Sequence, residues 1–121
     1  ILVLITITGD LAKLNEHDNA NRSNRFAGAK LKKDMTDLVA WQVKSKPQVK
    51  NPCTITFHWY YSSKHDFDNI RFSAKYVQDG LVKGGVLKDD SQKWVLGYDG
   101  DYFIKVDKGK EKVVVEINEV V

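Results

Sequence analysis

The sequence predicts an α+β fold, a single domain over residues 1–121 in which a mixed β-sheet packs against two main helices. Residues 53–61 alternate in side-chain type along their whole length, which is the period of a half-buried strand. Two other segments, 24–46 and 68–82, repeat apolar residues every three or four positions, as amphipathic helices do. Further strand-like runs follow, and strands interspersed with helices favour a layered α+β arrangement.

The first half of the chain gives a strand, a loop and a helix. Residues 1–8 are mostly apolar and contain several β-branched side chains, which predicts a buried strand. Residues 9–24 are polar and rich in asparagine, which predicts a loop. Apolar residues at helical spacing predict the first helix within 24–46. Pro47 ends this helical region because its ring disfavours helical backbone in the preceding residue.

The second half gives a strand, a helix and three further strands. β-Branched and aromatic residues support the strand at 53–61. The second helix is predicted from Asp68 to about Val82, where Gly84-Gly85 stops it. Three later strands are predicted over residues 93–98, 102–106 and 112–118. We expect them to form a meander, with a turn at Asp99-Gly100 between the first two.

Composition indicates one globular domain of 121 residues, with 42% hydrophobic and 29% charged residues. The net charge of +3, from 19 basic and 16 acidic residues, permits nucleic-acid binding without requiring it. The single Cys53 excludes an internal disulfide and is consistent with a reducing compartment. No apolar run is long enough to span a membrane, so we expect a cytoplasmic protein without a membrane partner.

Acidic residues stand on both sides of the second predicted helix. Asp66 and Asp68 precede its body, and Asp89 and Asp90 follow its end. Hard cations such as Mg²⁺ prefer carboxylate oxygens together with water and substrate phosphate oxygens. Such crowding of acids in a slightly basic chain indicates a metal site that acts on a phosphate-bearing partner.

Each of these residues also has a simpler interpretation. Asp68 is a good candidate for the helix N-cap, with Asn69 as a second, and Asp89-Asp90 suits a polar turn. On one continuous helix, Lys75 stands seven positions after Asp68 and can lean back toward it. That lysine could form a surface ion pair, or it could stabilise negative charge on a phosphate under attack.

Four spaced elements in order resemble the RusA family of Holliday junction resolvases. They are Asp66-Phe67-Asp68-Asn69, then Lys75, then Asp79-Gly80-Leu81, and finally Asp89-Asp90-Ser91-Gln92. The resemblance is strongest over residues 64–98 and is closest to versions found in prophages of Gram-positive bacteria. In better-known family members the lysine follows the second aspartate by about four positions, roughly one helical turn, so Lys75 departs from that spacing.

The resemblance implies a RusA-like fold and Mg²⁺-dependent cutting of four-way DNA junctions by a homodimer, in DNA recombination and repair. Mn²⁺ is expected to substitute for Mg²⁺. Asp66, Asp68 and Asp90 would be the metal-binding catalytic acids and Lys75 the catalytic lysine. Asp89 and Asn69 would support them.

DNA contacts are expected from basic residues on the Asn-rich loop and the start of the first helix. The candidates are Arg22, Arg25, Lys30, Lys32 and Lys33. A solvated basic face is the alternative interpretation. Two other functions stay open: a module that binds branched or single-stranded DNA without cutting it, and an interaction protein whose acids only cap a helix.

Overall fold

In the computed structural model of the chain, residues 2–9 and 25–120 are described, with the backbone alone at 25 and 26. The elements in chain order are β1 (Leu2–Thr8), α1 (Arg25–Val43), β2 (Cys53–Tyr61), α2 (Phe67–Arg71), α3 (Ala74–Lys83), β3 (Val95–Lys105) and β4 (Lys112–Glu119). The strands form one four-stranded sheet in the order β1-β4-β2-β3. The predicted α+β class with a mixed sheet is confirmed.

The sheet is not a meander at its carboxyl-terminal end, so that prediction is wrong. β4 lies between β1 and β2 and is antiparallel to both, whereas β3 runs parallel to β2 at the edge. Parallel neighbours need a crossover connection, and here α2 and α3 provide it. The fold therefore places α3 and the segment after it beside β3.

β3 is one continuous strand from Val95 to Lys105, and the predicted turn at Asp99-Gly100 does not form. The pairing with β2 shifts between Cys53 and Thr54 and again between Ile55 and Thr56. At each shift β3 contributes one extra residue, as in a β-bulge, so the Asp-Gly pair bends the strand without reversing it.

Two helices replace the single helix predicted over 68–82. Between α2 and α3 the backbone tightens: the Ser73 N–H donates to Ile70 O at 3.2 Å, and the Lys75 N–H donates to Phe72 O at 3.3 Å. These bonds span three residues, as in a 3₁₀ turn. Lys75 therefore lies in the first turn of α3, and its spacing from Asp68 cannot be read from one regular helix.

The core lies between the helices and one face of the sheet. Cys53, Ile55, Phe57 and Trp59 of β2 are all buried there, and the Phe57 and Trp59 rings stack with their centroids 5.0 Å apart. α1 and α3 pack closely where Gly80 faces Val39: a methyl group at position 80 would overlap the valine side chain. Within residues 2–9 and 25–120, no helix combines the length and apolar character needed to cross a bilayer.

β1 is an edge strand that is buried on one face only, which corrects the prediction of a buried strand. Ile5 and Ile7 are 1% and 0% exposed, whereas Leu2 and Leu4 are 56% and 59% exposed. A strand that is apolar at consecutive positions is typical of a sheet covered on both faces. Here the helices cover one face, so two leucines remain in contact with solvent.

The thiol of Cys53 is fully buried. Its pKa is raised mainly by this burial and to a lesser extent by the nearby charge of Glu119. We expect Ellman's reagent at pH 7 to leave the folded protein unmodified, because both access and thiolate are limited. In denaturant the same reagent should titrate one thiol per chain. Rapid reaction of the folded protein would contradict the burial of Cys53.

Candidate functional site

An open cleft of about 420 Å³ lies between α3, β3 and the segment that follows α3. Its lining consists of Arg71, Phe72, Ala74, Lys75, Gln78, Asp79, Asp90 and Tyr98. Two residues that the motif assigns to catalysis, Lys75 and Asp90, therefore contribute to one surface. Asp66 and Asp68 do not contribute to this lining.

Asp66 is the N-cap residue of α2, so the interpretation of Asp68 as the N-cap is wrong. The backbone of Asp66 is extended, with φ −61° and ψ 155°, and its carbonyl accepts the Asn69 N–H at 3.0 Å. The Asp66 side chain makes no capping hydrogen bond. Asp68 lies in the first turn of α2, and both carboxylates are exposed. Capping of α2 therefore does not account for either carboxylate.

Asp89 and Asp90 have different surroundings although they are adjacent. Oδ1 of Asp89 accepts the backbone N–H of Asp90 at 2.8 Å, which fixes the local backbone. The Asp90 side chain is exposed toward the cleft and forms no ion pair with the residues whose positions are described. Asp89 thus stabilises the backbone of the segment after α3, and the carboxylate of Asp90 is exposed to the cleft.

The fit of these acids to Mg²⁺ is good in chemistry and incomplete in geometry. Exposed carboxylates with no cationic partner in the described chain are suitable ligands for a hard cation. Across residues 2–9 and 25–120, however, no three Asp, Glu, His or Cys side chains stand close enough together to hold one ion. An ion shared by Asp66, Asp68 and Asp90 requires them to approach one another more closely than they do here.

Lys75 is exposed at the start of α3 and has no carboxylate partner among the described residues. Asp79, one helical turn later, faces Lys32 of α1 instead, with Nζ and Oδ2 3.9 Å apart. The Lys75 ammonium is therefore available to an anion that enters the cleft.

A hydrogen-bond network that local sequence patterns do not predict fixes one wall of the cleft. The Arg71 Nε–H donates to Asp101 Oδ2 at 2.7 Å, and the Trp59 Nε1–H donates to Asp101 Oδ1 at 2.9 Å. The Arg71 guanidinium also lies over the Tyr98 ring, 5.6 Å from its centroid. The Tyr98 hydroxyl in turn donates to Gln78 Oε1 at 2.6 Å. Asp101 on β3 thus ties α2 to the core.

The basic residues of α1 expected to contact DNA carry acidic neighbours. Lys30 pairs with Asp34 at 2.6 Å, and Lys33 pairs with Asp37 at 2.8 Å. Hydrogen bonds from Lys33 and Lys83 lower the pKa of Asp37, and the bond to Asp37 raises the pKa of Lys33. Exposed pairs of this kind are worth less than about 1 kcal/mol, so a phosphate could replace the acid.

Two of the DNA-contact candidates cannot be placed. Arg22 lies outside the described residues, and Arg25 begins α1 with only its backbone described. Lys32 is the candidate nearest the cleft, through its pairing with Asp79.

Comparison of the chain with protein-family models and with curated proteins gives no match.

Proposed function

We propose that the chain is a Mg²⁺-dependent endodeoxyribonuclease that resolves four-way DNA junctions by paired phosphodiester cuts, as its resemblance to the RusA family implies. The observation that carries this proposal is the state of the motif acids. Asp66, Asp68 and Asp90 are exposed, and the described residues offer their carboxylates neither a cap nor an ion pair. Carboxylates that are free of caps and ion pairs are available as oxygen ligands for a hard cation.

In this proposal Asp66, Asp68 and Asp90 would hold the ion once they approach one another, with Mn²⁺ as a substitute. A bound ion would supply a water ligand of lowered pKa and would neutralise phosphoryl oxygens. The Lys75 ammonium faces the phosphate from the cleft and stabilises the negative charge that develops there. Asp89 fixes the backbone of its acidic segment through its side chain, and the Asn69 N–H donates to the Asp66 carbonyl in the first turn of α2.

The proposed partner is branched DNA, and the proposed assembly is a homodimer. Cutting two strands symmetrically across a junction calls for two sites related by a twofold axis. We place this activity in the cytoplasm, in DNA recombination and repair.

One observation favours a second candidate, a module that holds branched or single-stranded DNA without cutting it. The described acids do not form a group of three around a common point. A protein with cationic cleft residues but without a metal cluster would bind phosphates and leave them intact.

A labelled four-way junction and a linear duplex of the same sequence separate these candidates. We expect paired nicks in the junction with Mg²⁺, no nicks in the duplex, and no cutting after chelation with EDTA, because ionised carboxylates act here only through a metal. Junction binding without cutting in either Mg²⁺ or Mn²⁺ would support the second candidate. Absence of both binding and cutting would exclude the two together.

Mg²⁺ should also stabilise the protein when DNA is absent. A ligand that binds only the folded state at 100 times its Kd adds about 2.7 kcal/mol to the free energy of unfolding. We therefore expect the melting temperature to rise with Mg²⁺ concentration in the native chain and to rise less in Asp68→Asn. A melting temperature independent of Mg²⁺ would favour an interaction protein whose acids are merely solvated.

A further inference from the structure

We propose that Arg71 is a DNA-backbone contact of the cleft, a phosphodiester-binding residue that Asp101 and Trp59 hold in position. This inference rests on the proposed function and adds to it a residue that the family motif does not assign. It follows from three properties of the site: an anchored carboxylate, a guanidinium with free donors, and a cleft that is open to a strand.

The anchor is the Asp101 carboxylate, both of whose oxygens are engaged. Oδ1 accepts from the indole of Trp59, which is 2% exposed and belongs to the core, and Oδ2 accepts from Arg71 Nε. The Asp101 side chain is only 19% exposed. Because the indole cannot move without disrupting the core, the acceptor for Arg71 has a fixed position.

The guanidinium keeps its terminal donors. Asp101 uses Nε alone, and no described residue accepts from the terminal N–H groups of Arg71. The side chain is 44% exposed and lines the cleft. The planar terminal N–H groups of an arginine match two oxygens of one phosphate, so a guanidinium fixed through Nε is already oriented for that contact.

The cleft around Arg71 suits a polynucleotide backbone. Lys75 supplies a second cation on the same surface, and Asp79 is partly offset by Lys32. The remaining acid of the lining, Asp90, is the carboxylate that the proposed function assigns to the metal. The Tyr98 ring stacks with Phe57, and its hydroxyl is held by Gln78. The Arg71 guanidinium lies over this ring, so the tyrosine supports the guanidinium on the wall of the cleft.

The first test measures the salt dependence of binding to a fluorescent four-way junction in EDTA, where no cutting occurs. The logarithm of the binding constant falls linearly as the logarithm of the salt concentration rises. Loss of one phosphate contact makes this slope shallower by about 0.9. We expect Arg71→Gln to show this decrease and Lys108→Gln, which removes the same charge from the exposed turn after β3, to keep the native slope. An unchanged slope in Arg71→Gln would overturn the inference.

The second test separates positioning from charge. Asp101→Asn raises the net charge by one, so a purely electrostatic role predicts tighter DNA binding. Positioning predicts weaker binding, because the asparagine can still accept from Trp59 but no longer holds Arg71. We expect weaker binding in Asp101→Asn, while Asp107→Asn, in the exposed turn after β3, binds as tightly as the native chain or more tightly. Tighter binding of Asp101→Asn would exclude positioning.

A third variant, Arg71→Lys, distinguishes loss of the forked contact from misfolding. Arg71→Lys keeps the charge and loses the forked donors, so we expect a native salt slope with about tenfold weaker binding, the scale of one charged hydrogen bond. Native affinity in this variant would show that Arg71 acts only as a point charge and would reject the forked contact.

The inference and the proposed function can fail separately. If the native chain cuts junctions and Arg71→Gln behaves like it, only the Arg71 inference fails. If the native chain binds no junction, both fail.

Discussion

If the chain has the proposed nuclease activity, replacing Asp90 with asparagine is expected to lower the rate of junction cutting by at least about 10²-fold, the effect of removing one charge-stabilising group from a catalytic site. The substitution preserves size and removes the negative charge, and a neutral amide is a poor ligand for Mg²⁺. Asp90 is exposed on the cleft and has no structural contact through its carboxylate in the described chain. Stability should therefore stay close to the native value, and junction binding in EDTA should be as tight as in the native chain or tighter, because the cleft loses one negative charge.

The measurement is single-turnover cutting of a labelled junction at saturating protein, with binding followed separately in EDTA. Asp107→Asn, an exposed aspartate in the turn between β3 and β4, is the matched control and should cut at the native rate. Native cutting by Asp90→Asn would remove this residue from the mechanism. Loss of binding together with cutting would assign it to DNA contact instead.

Replacing Gly80 with alanine is expected to destabilise the fold by about 3 kcal/mol, the upper part of the usual range for overpacking. The added methyl group would overlap Cβ and Cγ1 of Val39 and would crowd the Thr36 carbonyl on α1. Helix propensity alone predicts the opposite sign, because alanine favours a helix interior by about 1 kcal/mol over glycine. The sign of the change therefore tests how closely α1 and α3 approach.

Urea unfolding, followed by tryptophan fluorescence, gives the free energy of unfolding for this comparison. Gly97→Ala is the control, because a methyl group there meets no atom within 4 Å and the backbone φ is not positive. We expect Gly97→Ala to be neutral or slightly stabilising through the lower entropy of its unfolded chain. A stabilised Gly80→Ala would show that the two helices lie further apart.

Local pattern is sufficient for much of the architecture. The alternation over 53–61 predicts β2 with the bounds that the structure has, Cys53–Tyr61. The helical spacing within 24–46 predicts α1, although the helix ends at Val43, several residues before Pro47. These elements are encoded by neighbours in sequence, so periodicity is enough to find them.

Long-range pairing determines what the pattern misses. The Asp99-Gly100 pair has the composition of a turn, but β3 continues through it and pairs with β2, with a bulge at this point. Leu2 and Leu4 resemble core residues until the sheet is seen to be covered on one face. Neither outcome is written in local sequence, since both depend on which strand lies alongside.

The candidate site shows the same division. The resemblance to the RusA family singles out Lys75 and Asp90, and both side chains line the cleft. Arg71 gives no such signal, because its partner Asp101 is 30 positions later and the contact depends on the β2–β3 register. Side chains that meet only through sheet pairing are invisible to a search for local motifs.

The position of β4 has a consequence for biosynthesis. This strand is translated after every other described element, yet it must insert between β1 and β2. Until then the amino-terminal strand has no neighbour to pair with, and the nascent chain presents open strand edges to the cell. We therefore expect ribosome-bound chains that stop before residue 112 to be protease-sensitive and to depend on chaperones, with protection appearing only once the last strand has emerged.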